Sequence, residues 1–174
     1  NLSITDENLL LGKSDKNKES FDIIFIALQN IENLIIPANI RKINYDSFVF
    51  CDLKTVVFEQ NSQLEKITKR LFIYKKIQQI SIPPLVKQIE PLAFSGSSLT
   101  VIEFDENSML ETICYRAFER CQIREIKIPP HGKTIDDQAF YYCMKLKLVT
   151  FAENSELEKI GTQAFSSTAI EELK

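Results

Sequence analysis

Four cysteines, one histidine and one basic cluster are the residues of this 174-residue chain whose types could do chemistry. Nucleophilic catalysis by a thiol needs a base held beside it. A zinc site needs three or four closely spaced ligands. His131 stands alone in Pro130-His131-Gly132 and reads as an exposed loop residue. Cys51, Cys114, Cys121 and Cys143 show no Cys-x-x-Cys spacing, and four are too few for a disulfide scaffold. Cys51, Cys121 and Cys143 each follow a Phe by three residues, a packing position for a small buried hydrophobe. Cys114 has no such counterpart and is the thiol to test for reactivity. Lys69-Arg70 and Lys75-Lys76 flank Leu71-Phe72. They would suit an acidic partner or a sulfated glycan, but such runs are usually a solvated loop face. Asn1-Leu2-Ser3 is the N-glycosylation sequon. No catalytic, cofactor-binding or metal-binding residue is assigned, so the chain is read as non-enzymatic and cofactor-free.

Composition narrows the class further. With 44% apolar and 26% charged residues the chain should bury a core and stay in solution. A net charge of -3 argues against a nucleic-acid partner. The longest clean apolar run is Ile23–Leu28, far below the roughly 20 residues of a membrane span, so no membrane insertion is expected. Only four glycines leave little for a phosphate-cradling loop. The first residue is not Met, which fits a mature form or a fragment.

The elements that position these residues are set by an internal repeat. Ile31-Glu-Asn-Leu-Ile-Ile-Pro37 recurs at Ile77–Pro83 and Ile123–Pro129, 46 residues apart each time. Ile170-Glu-Glu-Leu173 begins a further copy. Between them run Val56-Val-Phe58, Ile102-Glu-Phe104 and Val149-Thr-Phe151, each followed by an Asn-Ser pair. Each period holds two half-repeats of about 23 residues, because an apolar residue, three variable residues, a small residue and Phe recur six times. They end at Phe48, Phe72, Phe94, Phe118, Phe140 and Phe165, with Ser47 and Leu71 in place of the usual Ala. A unit of that length is one coil of a leucine-rich-repeat solenoid. Alternation within a coil sends Leu53, Val56 and Phe58 inward and Thr55 and Val57 outward. Equivalent strands must stack as a parallel sheet, and Pro37, Pro83 and Pro129 close their strands because Pro has no N–H to give. The small-Phe pair then lines the opposite wall as an aromatic spine.

These residues resemble the BspA-like leucine-rich repeat family, the TpLRR subclass. Ile80-Ser-Ile-Pro83, Val86, Ile89 and Ala93-Phe94 follow its pattern, as do Ile126-Lys-Ile-Pro129, Ile135, Ala139-Phe140 and Cys143. The alternating Phe-x-x-Asn-Ser form is similar to a variant of parasitic protists. The resemblance covers residues 31–174. It implies a non-enzymatic protein at the cell surface or secreted, which binds host-cell or matrix proteins.

The expected fold is therefore β-rich within the α/β class. It is a right-handed solenoid with a parallel concave sheet and short helical or turn segments on the convex side. Residues 1–28 form a flank and cap, with 1–20 polar and flexible, and 29–174 hold about six half-repeats, the last truncated. The open end at Lys174 suggests a longer natural array and a route to self-association. Coil-to-coil disulfides are disfavoured, since Ser97 and Lys75 take the Cys position in sister coils. The expected protein-binding face is the outward row of the strands: Asn33, Ile35, Thr55, Val57, Gln79, Ser81, Val101, Glu103, Glu125, Lys127, Leu148 and Thr150. Its partner is a host-cell, matrix or other surface protein. An intracellular scaffold for a signalling or cytoskeletal partner would use the same face, and a mere spacer would use none.

Overall fold

The computed structural model describes residues 2–6 and 8–173, which places Asn1 of the sequon outside the described residues. Three strands open the chain: β1 (Leu2–Ile4), β2 (Leu9–Gly12) and β3 (Ile23–Ala27). Four-residue and two-residue strands then alternate. They are β4 (Asn33–Ile36), β5 (Lys42–Ile43), β6 (Thr55–Phe58), β7 (Lys66–Ile67), β8 (Gln79–Ile82) and β9 (Gln88–Ile89). β10 (Val101–Phe104), β11 (Thr112–Ile113), β12 (Glu125–Ile128), β13 (Thr134–Ile135), β14 (Leu148–Phe151), β15 (Lys159–Ile160) and β16 (Glu172–Leu173) complete the series. Each long strand buries every second residue, as Leu34 and Ile36 do beneath exposed Asn33 and Ile35. The short strands stack β7-β9-β11-β13-β15 in parallel, one per coil.

The six signature Phe rings form the expected spine. Five are fully buried, and successive centroids lie 5.2 Å apart from Phe72 to Phe165. Beside the rings runs a second backbone ladder of opposite sense. Phe72, Phe94, Phe118 and Phe140 each donate an N–H forward, at 2.8 Å, to the carbonyl of the small residue in the next coil. On the concave side the donation runs back, as from Thr55 to Glu32. Stacked coils thus satisfy buried backbone groups on two walls.

The helical alternative for the convex wall is overturned. Among the described residues there is no helix, and the wall consists of turns. The reason is local: residues two before and two after each spine Phe from Phe72 on hold positive φ, as at Arg116 (52°) and Arg120 (57°), and Asp46 does so before Phe48. Left-handed residues every four positions forbid a right-handed helix. Gly96 (φ 68°) takes this position where the Tyr74 ring lies against it, and a Cβ there would meet the ring at 2.3 Å.

One junction departs from the pattern. Phe48 and Phe72 stand 6.1 Å apart, and among the described residues the N–H groups of Asp46, Phe48 and Phe50 reach no carbonyl of the second coil. β5 and β7 are unpaired there too. Leu71 is the cause we assign, since Ala93, Ala117, Ala139 and Ala164 occupy its place where the coils close up. Side chains bridge the opening instead. Lys75 Nζ donates to the Cys51 and Val49 carbonyls (2.7 and 3.3 Å), and Thr68 Oγ1 donates to the Ile43 carbonyl (2.8 Å).

Before the repeats, β1, β2 and β3 form an antiparallel sheet, and β3 pairs in parallel with β5. The expectation of a flexible run up to residue 20 is corrected for β2. Leu9 and Leu11 are buried in the common core, because an open first coil needs an apolar cover. Buried Asp22 ties the following loop down. Its carboxylate accepts from Ser14 N (2.7 Å), Ser14 Oγ (2.6 Å) and Lys18 Nζ. Burial pushes its pKa up, but the Lys18 and Ser14 hydrogen bonds outweigh that and bring it down to about 2.

Candidate binding face

The concave face is not one continuous sheet. Hydrogen bonds join β4 to β6, β8 to β10, and β12 to β14 and β16. No ladder joins β6 to β8 or β10 to β12, although facing Cα atoms stay within 8 Å. The strand spacing alternates accordingly, with Thr55 22 residues after Asn33 and Gln79 24 after Thr55. Proline supplies the physical cause. Glu59 N donates to Ile36 O (3.0 Å) and Ala152 N to Ile128 O (3.2 Å), closing their ladders. Pro83 and Pro129 hold the equivalent position on the seam side and have no N–H.

The seams gather most of the expected residues. A groove of about 650 Å³ between β10 and β12 is lined by Val101, Glu103, Glu125, Lys127, Leu148 and Thr150. A second, of about 450 Å³ between β6 and β8, takes in Thr55, Val57, Gln79 and Ser81. Asn33 and Ile35 lie outside both, in register with Thr55 and Val57, and Thr55 Oγ1 donates to Asn33 Oδ1 at 2.8 Å. Ten of the twelve side chains are exposed, and Leu148 and Thr150 are half-buried. Ile35 and Val57 are 59% and 55% exposed and adjacent, an apolar pair on an open face. Ser81 Oγ donates to Glu103 Oε2 at 2.8 Å across one ladder.

The reactive-looking residues are locked into structure. Cys121 Sγ donates to Phe94 O (3.1 Å) and Cys143 Sγ to Phe118 O (3.0 Å), each reaching one coil back. Burial, the dominant cause, pushes the Cys121 thiol up to about 12 and raises Cys143 likewise. Cys121 and Cys143 do occupy neighbouring coils, which the argument from Ser97 and Lys75 overlooked, and both thiols are free. Cys114 is buried and its pKa is raised by burial against a Gln88 amide hydrogen bond (3.2 Å). A thiol held protonated is a poor nucleophile. His131 Nδ1 sits 2.9 Å from Glu156 Oε1, both half-exposed. The sequence reading missed Asp22 and both seams. The 24-residue steps into β8 and β12, against 22 and 23 for the joined pairs β4–β6, β8–β10 and β12–β14, were a partial signal for the seams, since the 24-residue step from β14 to β16 is joined.

Fold and face together define a leucine-rich-repeat solenoid, a repeat scaffold without a catalytic constellation on the faces described. A family model for the BspA type leucine rich repeat region matches residues 13–75 and 65–174 in six copies, and the chain belongs to that family. Among curated proteins none matches. Solved structures share the fold. The pneumococcal vaccine antigen PcpA is 23% identical with a TM-score of 0.65, over 99% of this chain and 46% of that one. A leucine-rich repeat protein from Eubacterium ventriosum is 17% identical with a TM-score of 0.67, over 99% and 51%. A leucine rich cell surface protein from Faecalibacterium prausnitzii is 18% identical with a TM-score of 0.58, over 89% and 53%. The chain spans about half the length of these structures. No helix of the described residues is long and apolar enough to cross a membrane.

Proposed function

We propose that this chain is the protein-binding segment of a cell-surface adhesin, acting without catalysis and recognising host-cell or matrix proteins through its concave face. One observation carries the reading. The β10–β12 groove assembles six of the outward residues into a single preformed concavity, where apolar Val101 and Leu148 line the same space as charged Glu103, Glu125 and Lys127. A rigid ladder on either side of that groove lowers the ordering cost of association. Surface display draws support from the Faecalibacterium prausnitzii neighbour, whose name calls it a cell surface protein.

The test is binding of the labelled chain to cultured epithelial cells and to immobilised matrix proteins, beside a Val57→Asp, Val101→Asp variant shown to be folded. A loss of about tenfold or more in the variant is expected from charging an apolar contact. Equal binding by both chains removes the concave face from the reading, and no binding by either removes the adhesin.

A further inference from the structure

The concave face is poor in the residues that usually anchor protein interfaces, with Arg124 lining the β10–β12 groove. Its twelve outward side chains include no Tyr, Trp or Arg, the types enriched at hot spots. The convex wall is the reverse. All five tyrosines of the chain lie within three residues of a spine Phe: Tyr45, Tyr74, Tyr115, Tyr141 and Tyr142. Three of the five arginines (Arg70, Arg116, Arg120) do so as well, with Phe50, at 73% the most exposed large hydrophobic side chain.

These groups are prearranged. Coil stacking places Phe50 and Tyr74 at the same position of neighbouring coils, beside exposed Val49 and a cleft of about 220 Å³. In coils four and five the Arg116 guanidinium lies 5.0 Å from the Tyr115 ring and 5.9 Å from Tyr141. Its Nε donates to Gln138 Oε1 at 2.6 Å. Arg120 lies over Tyr142 at 5.7 Å, and Tyr141 and Tyr142 meet edge to face at 4.7 Å. Side chains held this way lose little freedom on binding. Yet none of the five phenol hydroxyls makes a hydrogen bond among the described residues. On this exposed wall they can exchange water for a partner's acceptor.

Charge selects that partner. Within the same span the wall carries Lys69, Arg70, Lys75, Arg116 and Arg120 against Asp46, Glu119 and Asp137, in a chain whose net charge is -3. Glu119 lies 3.8 and 3.9 Å from Arg116 and Arg120 and offsets part of their charge, which leaves the wall an excess of two cations by this tally. Arginines already cover ring faces in coils four and five. What those coils present is phenol O–H and guanidinium N–H, which match carboxylates and backbone carbonyls better than the flat apolar face of a sugar.

We propose that the convex wall is a second recognition surface, one that docks a protein carrying carboxylates beside apolar side chains. It shares with the reading above only that the chain binds protein. It differs in the face, so each face's variant tests one reading without the other, and only a native chain that binds no cells removes both.

The test uses Tyr74→Asn, Arg120→Asn, Tyr142→Asn as a triple variant. All three positions have φ between 54° and 57°, where Asn is among the best-tolerated residues, so the turns should survive. Circular dichroism and the melting temperature establish folding. The probe is cultured epithelial cells, intact, protease-shaved, or treated with glycan-removing enzymes. Expected is at least about tenfold weaker binding by the triple variant, loss on protease-shaved cells, and no loss on deglycosylated ones. Raised salt should weaken binding by the native chain further. The proposal is overturned if the folded triple variant binds like the native chain, if the native chain binds no cells, or if binding survives shaving and disappears with the glycans.

Discussion

Asp22 shows how one buried carboxylate can anchor a segment without a core of its own. Five donors from Ser14, Lys18, Arg41 and Lys42 converge on its side chain and carbonyl, and its own N–H donates to Gly12 O. Its folded pKa is about 2, below the ordinary 3.8, so the ionised form is bound more tightly in the folded state. The sign follows from linkage. The contribution is fully present above the unfolded pKa and is lost as pH falls through the folded one. Its size is about 2–3 kcal/mol, from roughly two pH units at 1.36 kcal/mol each. Asp22→Asn should therefore destabilise the chain by about that amount at pH 7, measured by urea unfolding. The gap between the native chain and the variant should shrink toward zero near pH 2. A gap that stays constant across this window would show that packing, not ionisation, is what Asp22 contributes.

Strands show where the sequence was legible and where it was not. Six recurrences of one signature foretold coil number, inward residues and the Phe spine, because packing positions repeat and their chemistry is uniform. Pro83 and Pro129 were read as strand ends, which they are, but each also removes the donor that would close a rung to the coil before it. That consequence needs the partner strand's register, which a single repeat does not display. It makes a prediction for the seam. Thr55 and Glu59 donate toward β4, so by alternation the N–H groups of Val56 and Phe58 face β8 across the open seam. Their amides should exchange with solvent faster than those of Thr55 and Glu59 in the folded chain, read residue by residue by NMR. Equal protection along β6 would mean that the seam closes in solution. The candidate face was legible as a row of outward residues, since strand alternation alone sorts them. Its division into grooves was not, and neither was the helix-free convex wall. There the positive φ of Arg116 or Tyr142 is imposed by the stacking of coils rather than by the residue type.

The whole molecule behaves as a one-dimensional stack in which stability passes only between neighbours. A weak link is then a junction that lacks rungs, and on the convex wall that is the one Leu71 opens. From the third coil to the sixth, convex rungs and short-strand pairs join every neighbour. Between the first and second coils the three convex rungs and the β5–β7 pair are missing, and the β4–β6 ladder bears the junction with the Lys75 and Thr68 bridges. At about 1 kcal/mol per net hydrogen bond, three absent convex rungs leave this junction some 3 kcal/mol weaker than the junctions that carry both ladders, β8–β10 and β12–β14. Opening there should release residues 2–50 as a unit before the rest unfolds. Native-state hydrogen exchange in low denaturant should show amides between 23 and 50 exchanging on the order of 100-fold faster than those of the 79–140 coils, with the step between Phe48 and Phe72. Protection that declines evenly from the centre to both ends would overturn this. Leu71→Ala offers a sharper check, because it lets the coils approach while deleting buried apolar volume. Overall stability should fall by roughly 2–5 kcal/mol from the lost side chain. If Leu71 is what holds the coils apart, the step in protection should nonetheless narrow, and a weaker chain with a stronger junction is an outcome no general loss of packing would produce.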